Sequence, residues 1–159
     1  MTEGLLSRMK ILLVIDIQQR YMAHYDAGLL ARVNARIREA QAADTPVFYA
    51  RNIPRLESTE NYDYADGLLI VSDHLYDKKS PSAFSDPSFC ADLKKSGVTE
   101  IEMIGVDGNC CVKRTCLDAV AAGFEVTLNL NCIAARNEKI YIKTLAELAE
   151  KNITLLQGD

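Results

Sequence analysis

Three side chains in this 159-residue sequence have the chemistry of a thiol nucleophile and its support: Asp16, Lys78 and Cys111. A cysteine attacks as its thiolate, so it needs a proton acceptor and a nearby positive charge. Asp16 is the acceptor at hand. The two histidines, His24 and His74, lack His-x-x-x-His or Asp-x-His spacing and read as loop or surface residues. Cys111 opens a helical stretch, and the unpaired N–H groups of a helix start lower a thiol pKa, as does a lysine. A thiol of depressed proton affinity is therefore expected. Each residue also has a plainer reading: a strand-end turn former, a solvated lysine, a buried small apolar side chain. Two registers are open by one place, Cys110 against Cys111 and Lys79 against Lys78.

These residues act together only if the chain brings them together. Short apolar runs alternate with helical stretches, the pattern of parallel strands joined by crossover helices. Lys10–Asp16 is a continuous apolar run, as in a central strand covered on both faces. A helix is expected over Gly28–Ala43, with Leu29, Val33, Ile37 and Ala40 on one face. Further strands are expected at Thr45–Ala50, within Leu68–Asp77, and at Val98–Gly105, Phe124–Leu130 and Ile153–Leu156. Helices should run from the Asp86-Pro87 cap to Gly97, from Cys111 to Ala122, and from the Asn137 cap to Lys151. Arg51–Gly67 is polar and tyrosine-rich and reads as a long loop. The expected fold is α/β: one domain over residues 1–159, a doubly wound, Rossmann-like six-stranded parallel sheet with helices on both faces. In such sheets ligands sit beyond the carboxyl ends of the strands. Asp16 ends the first strand, Lys78 follows the third and Cys111 follows the fourth, so all three fall on that edge.

Composition narrows the partners. Apolar residues make up 48% and the net charge is -4 without a basic run, which argues against nucleic acid. The charges between Arg32 and Arg38 read as the wet face of a helix. The apolar run Ile11–Ile15 is too short to cross a membrane. Five cysteines without a CxxC pair suit a reducing compartment, so a cytoplasmic protein is expected. No Gly-x-Gly-x-x-Gly and no Walker-type loop is present, so no dinucleotide or other cofactor is expected.

Three segments carry a resemblance. Leu12-Leu13-Val14-Ile15-Asp16-Ile17-Gln18 with Tyr21, then Lys78-Lys79-Ser80-Pro81-Ser82-Ala83-Phe84, then Gly105-Val106-Asp107-Gly108-Asn109-Cys110-Cys111-Val112 with Thr115 and Asp118-Ala119, occur in order. They resemble the three motifs of the isochorismatase-like hydrolases, a family that includes nicotinamidases, carbamoylsarcosine amidohydrolase and ureidoacrylate-type enzymes. The likeness runs from about residue 10 to the C-terminus. It favours Cys111 over Cys110, by the following Val112, and Lys78 over Lys79, by the offset to Ser82. It implies that Asp16 takes the thiol proton, Lys78 stabilises the thiolate and Cys111 attacks a carbonyl carbon. It also implies a cis peptide at Val106-Asp107 that aims the N–H groups of Asp107 and Cys111 at an oxyanion. Gln18, Tyr21 and Phe84 would line the pocket.

The sequence departs from the family pattern at Gly108 (usually Thr), Asn109 (usually Asp), Asp107 (usually small and neutral) and Asn131 (often Asp, after the fifth strand). The His and Asp residues of the nicotinamidase zinc site are missing between the first strand and the lysine, so no metal is expected. The resemblance implies a hydrolase cleaving a small amide or carbamoyl C–N bond through a thioester. The alternatives are a silent binding or oligomeric module of the same fold, and a redox protein using Cys110-Cys111. A homo-oligomer is expected, with Tyr62 and Tyr64 as interface aromatics, acting on a small molecule.

Overall fold

The structure, a computed structural model, describes residues 8–54 and 61–157. Six strands form one parallel sheet: β1 (Lys10–Ile15), β2 (Val47–Asn52), β3 (Leu75–Lys78), β4 (Glu100–Gly105), β5 (Glu125–Ile133) and β6 (Thr154–Leu156). Their order across the sheet is β3-β2-β1-β4-β5-β6. The chain thus winds outward one way from β1 and then the other way from β4. The crevice between the ends of β1 and β4 is the switch point where such folds bind ligands.

β1 shows why its run is apolar throughout. Ile11, Leu13 and Ile15 face one core with α3 (Pro87–Lys95), α4 (Cys111–Ala121) and α5 (Glu138–Ala149). Leu12 and Val14 face the other core, against Leu29, Val33, Ile37 and Ala40 of α2 (Leu29–Ala42). Both faces are covered, so neither register of the strand can be polar. Two expected caps are in place: Asp86 accepts from the Ser88 N–H at 2.9 Å, and Asn137 from the Ile140 N–H at 3.0 Å. Each satisfies an orphan donor at a helix start.

Four details differ from expectation. β3 sits at the far end of the expected window, so Lys78 is the last residue of the strand itself. β5 runs on to Ile133 because its register shifts: Met103 pairs with Leu128, but Gly105 pairs with Ile133. Extra residues are accommodated in the longer strand, and Asn131 lies inside it. The β2–β3 connection, whose residues 55–60 lie outside the described part, covers the face beside α2 with Tyr64, Ala65, Leu68 and Leu69. A short helix α1 (Gln19–Met22) has no apolar periodicity to betray it.

The tyrosines expected at an interface are used within the chain. Tyr64 packs edge-on to Tyr49 at 6.0 Å with Arg51 over its ring at 5.4 Å, and Arg20 lies 4.6 Å over Tyr62. Arg36, expected on a wet face, reaches inward instead. Its guanidinium donates two hydrogen bonds, 2.7 and 2.8 Å, to the fully buried Glu102 of β4, which Lys10 (3.0 Å) and Asn129 (3.1 Å) also hold.

Burial alone would raise the Glu102 pKa, but Arg36, Asn129 and Lys10 together bring it down to about 2 from the ordinary 4.5. The folded value lies below the unfolded one, so this stabilisation is complete above pH 4.5 and fades as pH falls toward 2. Glu102→Ala should lower stability by about 3–5 kcal/mol at neutral pH, since it strands the buried face of Arg36. Chemical denaturation should show that difference narrowing between pH 4.5 and 2; a constant difference would refute the linkage.

Candidate active site

Asp16 leaves β1 in the left-handed region, φ 53°, a conformation Asp tolerates better than most residues. Its N–H donates to Ala50 of β2 at 2.9 Å, and its C=O accepts from the Gln18 N–H at 2.9 Å. The residue is 2% exposed, and its carboxylate meets Lys78 Nζ at 3.0 Å. Lys78 is 1% exposed, while Lys79 is exposed, so the register of the pair is Lys78. The two strands that hold this ion pair are not neighbours. β2 lies between them, and the side chains close above its end.

Gly105 ends β4 at φ 123°, and a Cβ there would lie 2.1 Å from the Ile15 carbonyl oxygen. Only glycine lets the two central strands approach this closely at the switch point. The Val106-Asp107 peptide that follows is cis. Cys110 and Val112 N–H groups both donate to the Asp107 C=O, at 3.0 and 3.1 Å. Among the described residues no hydrogen bond uses the N–H of Asp107 or of Cys111. Cys111 is the first residue of α4 and half-buried, whereas Cys110 is exposed; both are free thiols. The buried Thr115 hydroxyl donates to the Cys111 C=O at 2.7 Å and accepts from the Ala83 N–H at 3.1 Å. It ties the start of α4 to the turn just beyond Lys78.

The three predicted residues therefore meet, and the cavity above them has a volume of about 300 Å³. Asp16, Tyr21, Val106, Asp107 and Cys111 line it, as expected, and so do His24, Tyr25, Asn52, Cys110 and Arg136. Gln18 is not at the surface of this cavity. Its buried amide clamps β2 instead, accepting from the Asn52 N–H at 2.7 Å and donating to the carbonyls of Asn52 and Tyr62. Phe84 likewise packs away from the cavity, edge-on to Phe89 at 5.0 Å. The side chains that sequence reasoning missed, Tyr25 and Arg136 above all, belong to segments without periodicity or motif. His24, read as a surface residue, lies at the rim, and His74 stacks on Phe48 at 4.2 Å, away from the site.

Asp107, whose carboxylate stands where the family is usually small and neutral, is held by three donors: the Asn109 N–H (2.8 Å), the Arg136 N–H (2.8 Å) and the Tyr25 hydroxyl (3.1 Å). The Gly108 departure has a steric cause, since a Cβ there would lie 2.5 Å from the Tyr141 ring of α5. A zinc site of the nicotinamidase kind does not fit. His24 is the only histidine lining the cavity, Asp26 is engaged by Arg32, and no group of three His, Cys, Asp or Glu gathers among the described residues.

The electrostatics correct one expectation. Burial pushes the Cys111 thiol well above the ordinary range, and the neighbouring Asp16 carboxylate pushes it further, against the pull of Lys78. Burial also raises Asp16, opposed by Lys78 and by Cys111. One lysine can balance one negative charge here but not two, so the pair keeps one proton and titrates as a unit. Asp16 Oδ1, the oxygen not bonded to Lys78, is buried, and the Cys111 thiol is the neighbouring side chain that hydrogen-bonds the carboxylate.

Fold and site define a class: a Rossmann-like parallel sheet with a cysteine, a carboxylate and a lysine clustered at its switch point. The chain belongs to the isochorismatase-like hydrolase family, whose Isochorismatase domain model matches residues 10–158. Nicotinamidase 3 of Arabidopsis thaliana is 27% identical over 90% of this chain and 82% of its own length. Another Arabidopsis thaliana protein, named a probable inactive nicotinamidase, is 29% identical over 79% of this chain and 68% of its own length. The crystal structure of N-carbamoylsarcosine amidase from Thermoplasma acidophilum shares the fold, with a TM-score of 0.80 at 16% identity over 96% of this chain and 98% of that one. Among the described residues no helix is long and apolar enough to cross a membrane.

The shared proton predicts an unusual alkylation profile. Unliganded Cys111 should react slowly with iodoacetamide at neutral pH, with its rate still rising above the ordinary thiol range. Asp16→Asn removes the competing charge but leaves Lys78, so alkylation at neutral pH should become at least about tenfold faster. Peptide mass spectrometry across pH reads both; a slower Asp16→Asn reaction would contradict the shared-proton account.

Proposed function

We propose that this chain hydrolyses a small amide or carbamoyl C–N bond, with Cys111 as nucleophile, Asp16 as proton acceptor and Lys78 holding the charge between them. The observation that carries this reading is the buried Asp16 carboxylate, held by Lys78 at 3.0 Å and adjoining the Cys111 thiol, on the wall of a small cavity. Its raised proton affinity makes Asp16 a better base than an exposed aspartate.

The thiol proton passes to Asp16 while sulfur bonds to the carbonyl carbon. Negative charge develops on the carbonyl oxygen within reach of the unused N–H groups of Asp107 and Cys111; one such donor contributes about 3 kcal/mol. Asp16 returns its proton to the nitrogen, the C–N bond breaks, and the departing amine leaves a thioester behind. Water then adds to that carbonyl and gives a proton to Asp16. Cleavage of the S–C bond releases the acid and restores the thiol. The net reaction converts one amide and one water into one carboxylic acid and one amine, or ammonia where the amide nitrogen is unsubstituted.

The reading also places the protein in the cytoplasm as a homo-oligomer. With Tyr62 and Tyr64 engaged internally, Ile140 and Ile142 of α5, 50% and 69% exposed, are the better apolar contact surface. Light scattering on a dilution series should give a mass above 17.6 kDa; the single-chain mass at every concentration would remove this part.

Ammonia or amine release across a panel of small amides, with intact-protein mass spectrometry, tests the chemistry. Cys111→Ala should reduce turnover more than about a thousandfold and abolish the covalent adduct, while Cys110→Ala keeps most of the activity. Equal losses would move the nucleophile. No turnover and no adduct with any amide would favour a silent binding module, and a thiol count that rises on reduction would favour a redox pair.

A further inference from the structure

From Val106 to Val112 the backbone N–H groups fall into two sets. Val106 donates to the Ile15 C=O at 3.0 Å and Gly108 to the Ala134 C=O at 2.9 Å, which pins the turn to β1 and to the residue after β5. Cys110 and Val112 donate to the Asp107 C=O, and Asn109 donates to the Asp107 carboxylate. Among the described residues, Asp107 and Cys111 alone in this turn keep an N–H without a partner.

The Asp107 side chain does two things here. Its Oδ1 takes the Asn109 N–H at 2.8 Å, which closes the turn on itself. Its Oδ2 takes the Arg136 N–H at 2.8 Å, from the β5–α5 connection, and the Tyr25 hydroxyl at 3.1 Å, from the α1–α2 connection. Tyr25, Arg136, Asp107 and Cys111 all line the cavity, so one carboxylate draws three segments of its wall together. Hydrogen bonds to an ionised acceptor are about twice as strong as neutral ones. An alanine at 107 has no atom to accept any of the three.

We propose that Asp107 is a positioning residue, whose carboxylate braces the 106–112 turn so that the N–H groups of Asp107 and Cys111 stay aimed at the oxygen of a carbonyl group held over the thiol. The inference rests on the amide-hydrolase reading above and adds to it a side chain that touches no reacting atom. Position and charge pull in opposite directions at this residue. A negative charge beside a developing oxyanion opposes it, so an Asp107 acting by charge alone would weaken the site, and its removal would strengthen it. An Asp107 acting by position does the reverse, since misplacing a group by about 1 Å can cost about a hundredfold.

The test sets propanal against iodoacetamide on the full chain, with peptide mass spectrometry counting alkylated Cys111. Propanal adds reversibly: sulfur bonds to the carbonyl carbon, the C=O π pair moves to oxygen, and the thiol proton passes to Asp16, with no leaving group. Iodoacetamide bonds through its CH2 carbon with loss of iodide, so no charge develops on its carbonyl oxygen. Protection of Cys111 by propanal therefore reads the two N–H donors, and alkylation without propanal reads the thiol alone. Asp107→Ala should weaken propanal at least about tenfold, and Asp107→Asn, which keeps one acceptor oxygen, should fall between Ala and native. Alkylation without propanal should stay within about threefold of native in both variants. Thermal denaturation reports that each variant is folded, and the Asn variant carries the comparison alone if Ala does not fold. Unchanged or tighter propanal binding in a folded variant, an equal fall in both probes, or no protection of the native protein would overturn the proposal. Any of these beside amide turnover by the native protein sinks this inference alone. A series of native over Asn over Ala with no amide turnover leaves the brace standing and sinks amide hydrolysis.

Discussion

The structure turns on a dehydrated ion pair held by two strands that do not touch. Asp16 and Lys78 meet at 3.0 Å, almost wholly out of water, across the end of the strand between them. Burying both charges is costly, and attraction repays it only where the geometry is fixed from several sides. The surrounding details supply that fixity. Gly105 lets β4 press against β1, the Gln18 amide clamps the end of β2, and Thr115 latches α4 to the turn after Lys78. Loss of any one loosens the seat of the pair before it touches the thiol.

From that pair follows the state of the cysteine. A helix start and a lysine would ordinarily favour a thiolate, yet Lys78 is already matched by Asp16 and the site is too dry for a second anion. Burial and the neighbouring carboxylate both push the Cys111 thiol toward its protonated form, against the pull of Lys78.

How much of this was legible in the sequence depends on how local each signal is. β1, α2 and the caps at Asp86 and Asn137 follow from periodicity and cap chemistry, which a few consecutive residues carry. Asp16, Lys78 and Cys111 stand out by type and by position at strand ends. What escaped depends on distant partners. Gln18 reads as a pocket residue until the backbone of Asn52 and Tyr62 is there to occupy its amide. Arg36 reads as solvated until Glu102 is seen to be buried beneath it. Tyr25 joins the site through a carboxylate 82 residues away. The extension of β5 needs a register shift against β4, and the thiol's proton affinity needs the burial of three charged or polar groups at once.

The Gly108–Tyr141 contact couples two positions 33 residues apart, one in the third motif and one on α5. With the Tyr141 ring 2.5 Å from where a Cβ would stand, threonine does not fit at 108 while that ring is in place. Any side chain at 108 therefore requires residue 141 to be smaller or its ring to be turned aside. Substitutions here are acceptable in one order and harmful in the other. A threonine grafted onto this chain at 108 would therefore damage the third motif unless residue 141 were changed with it.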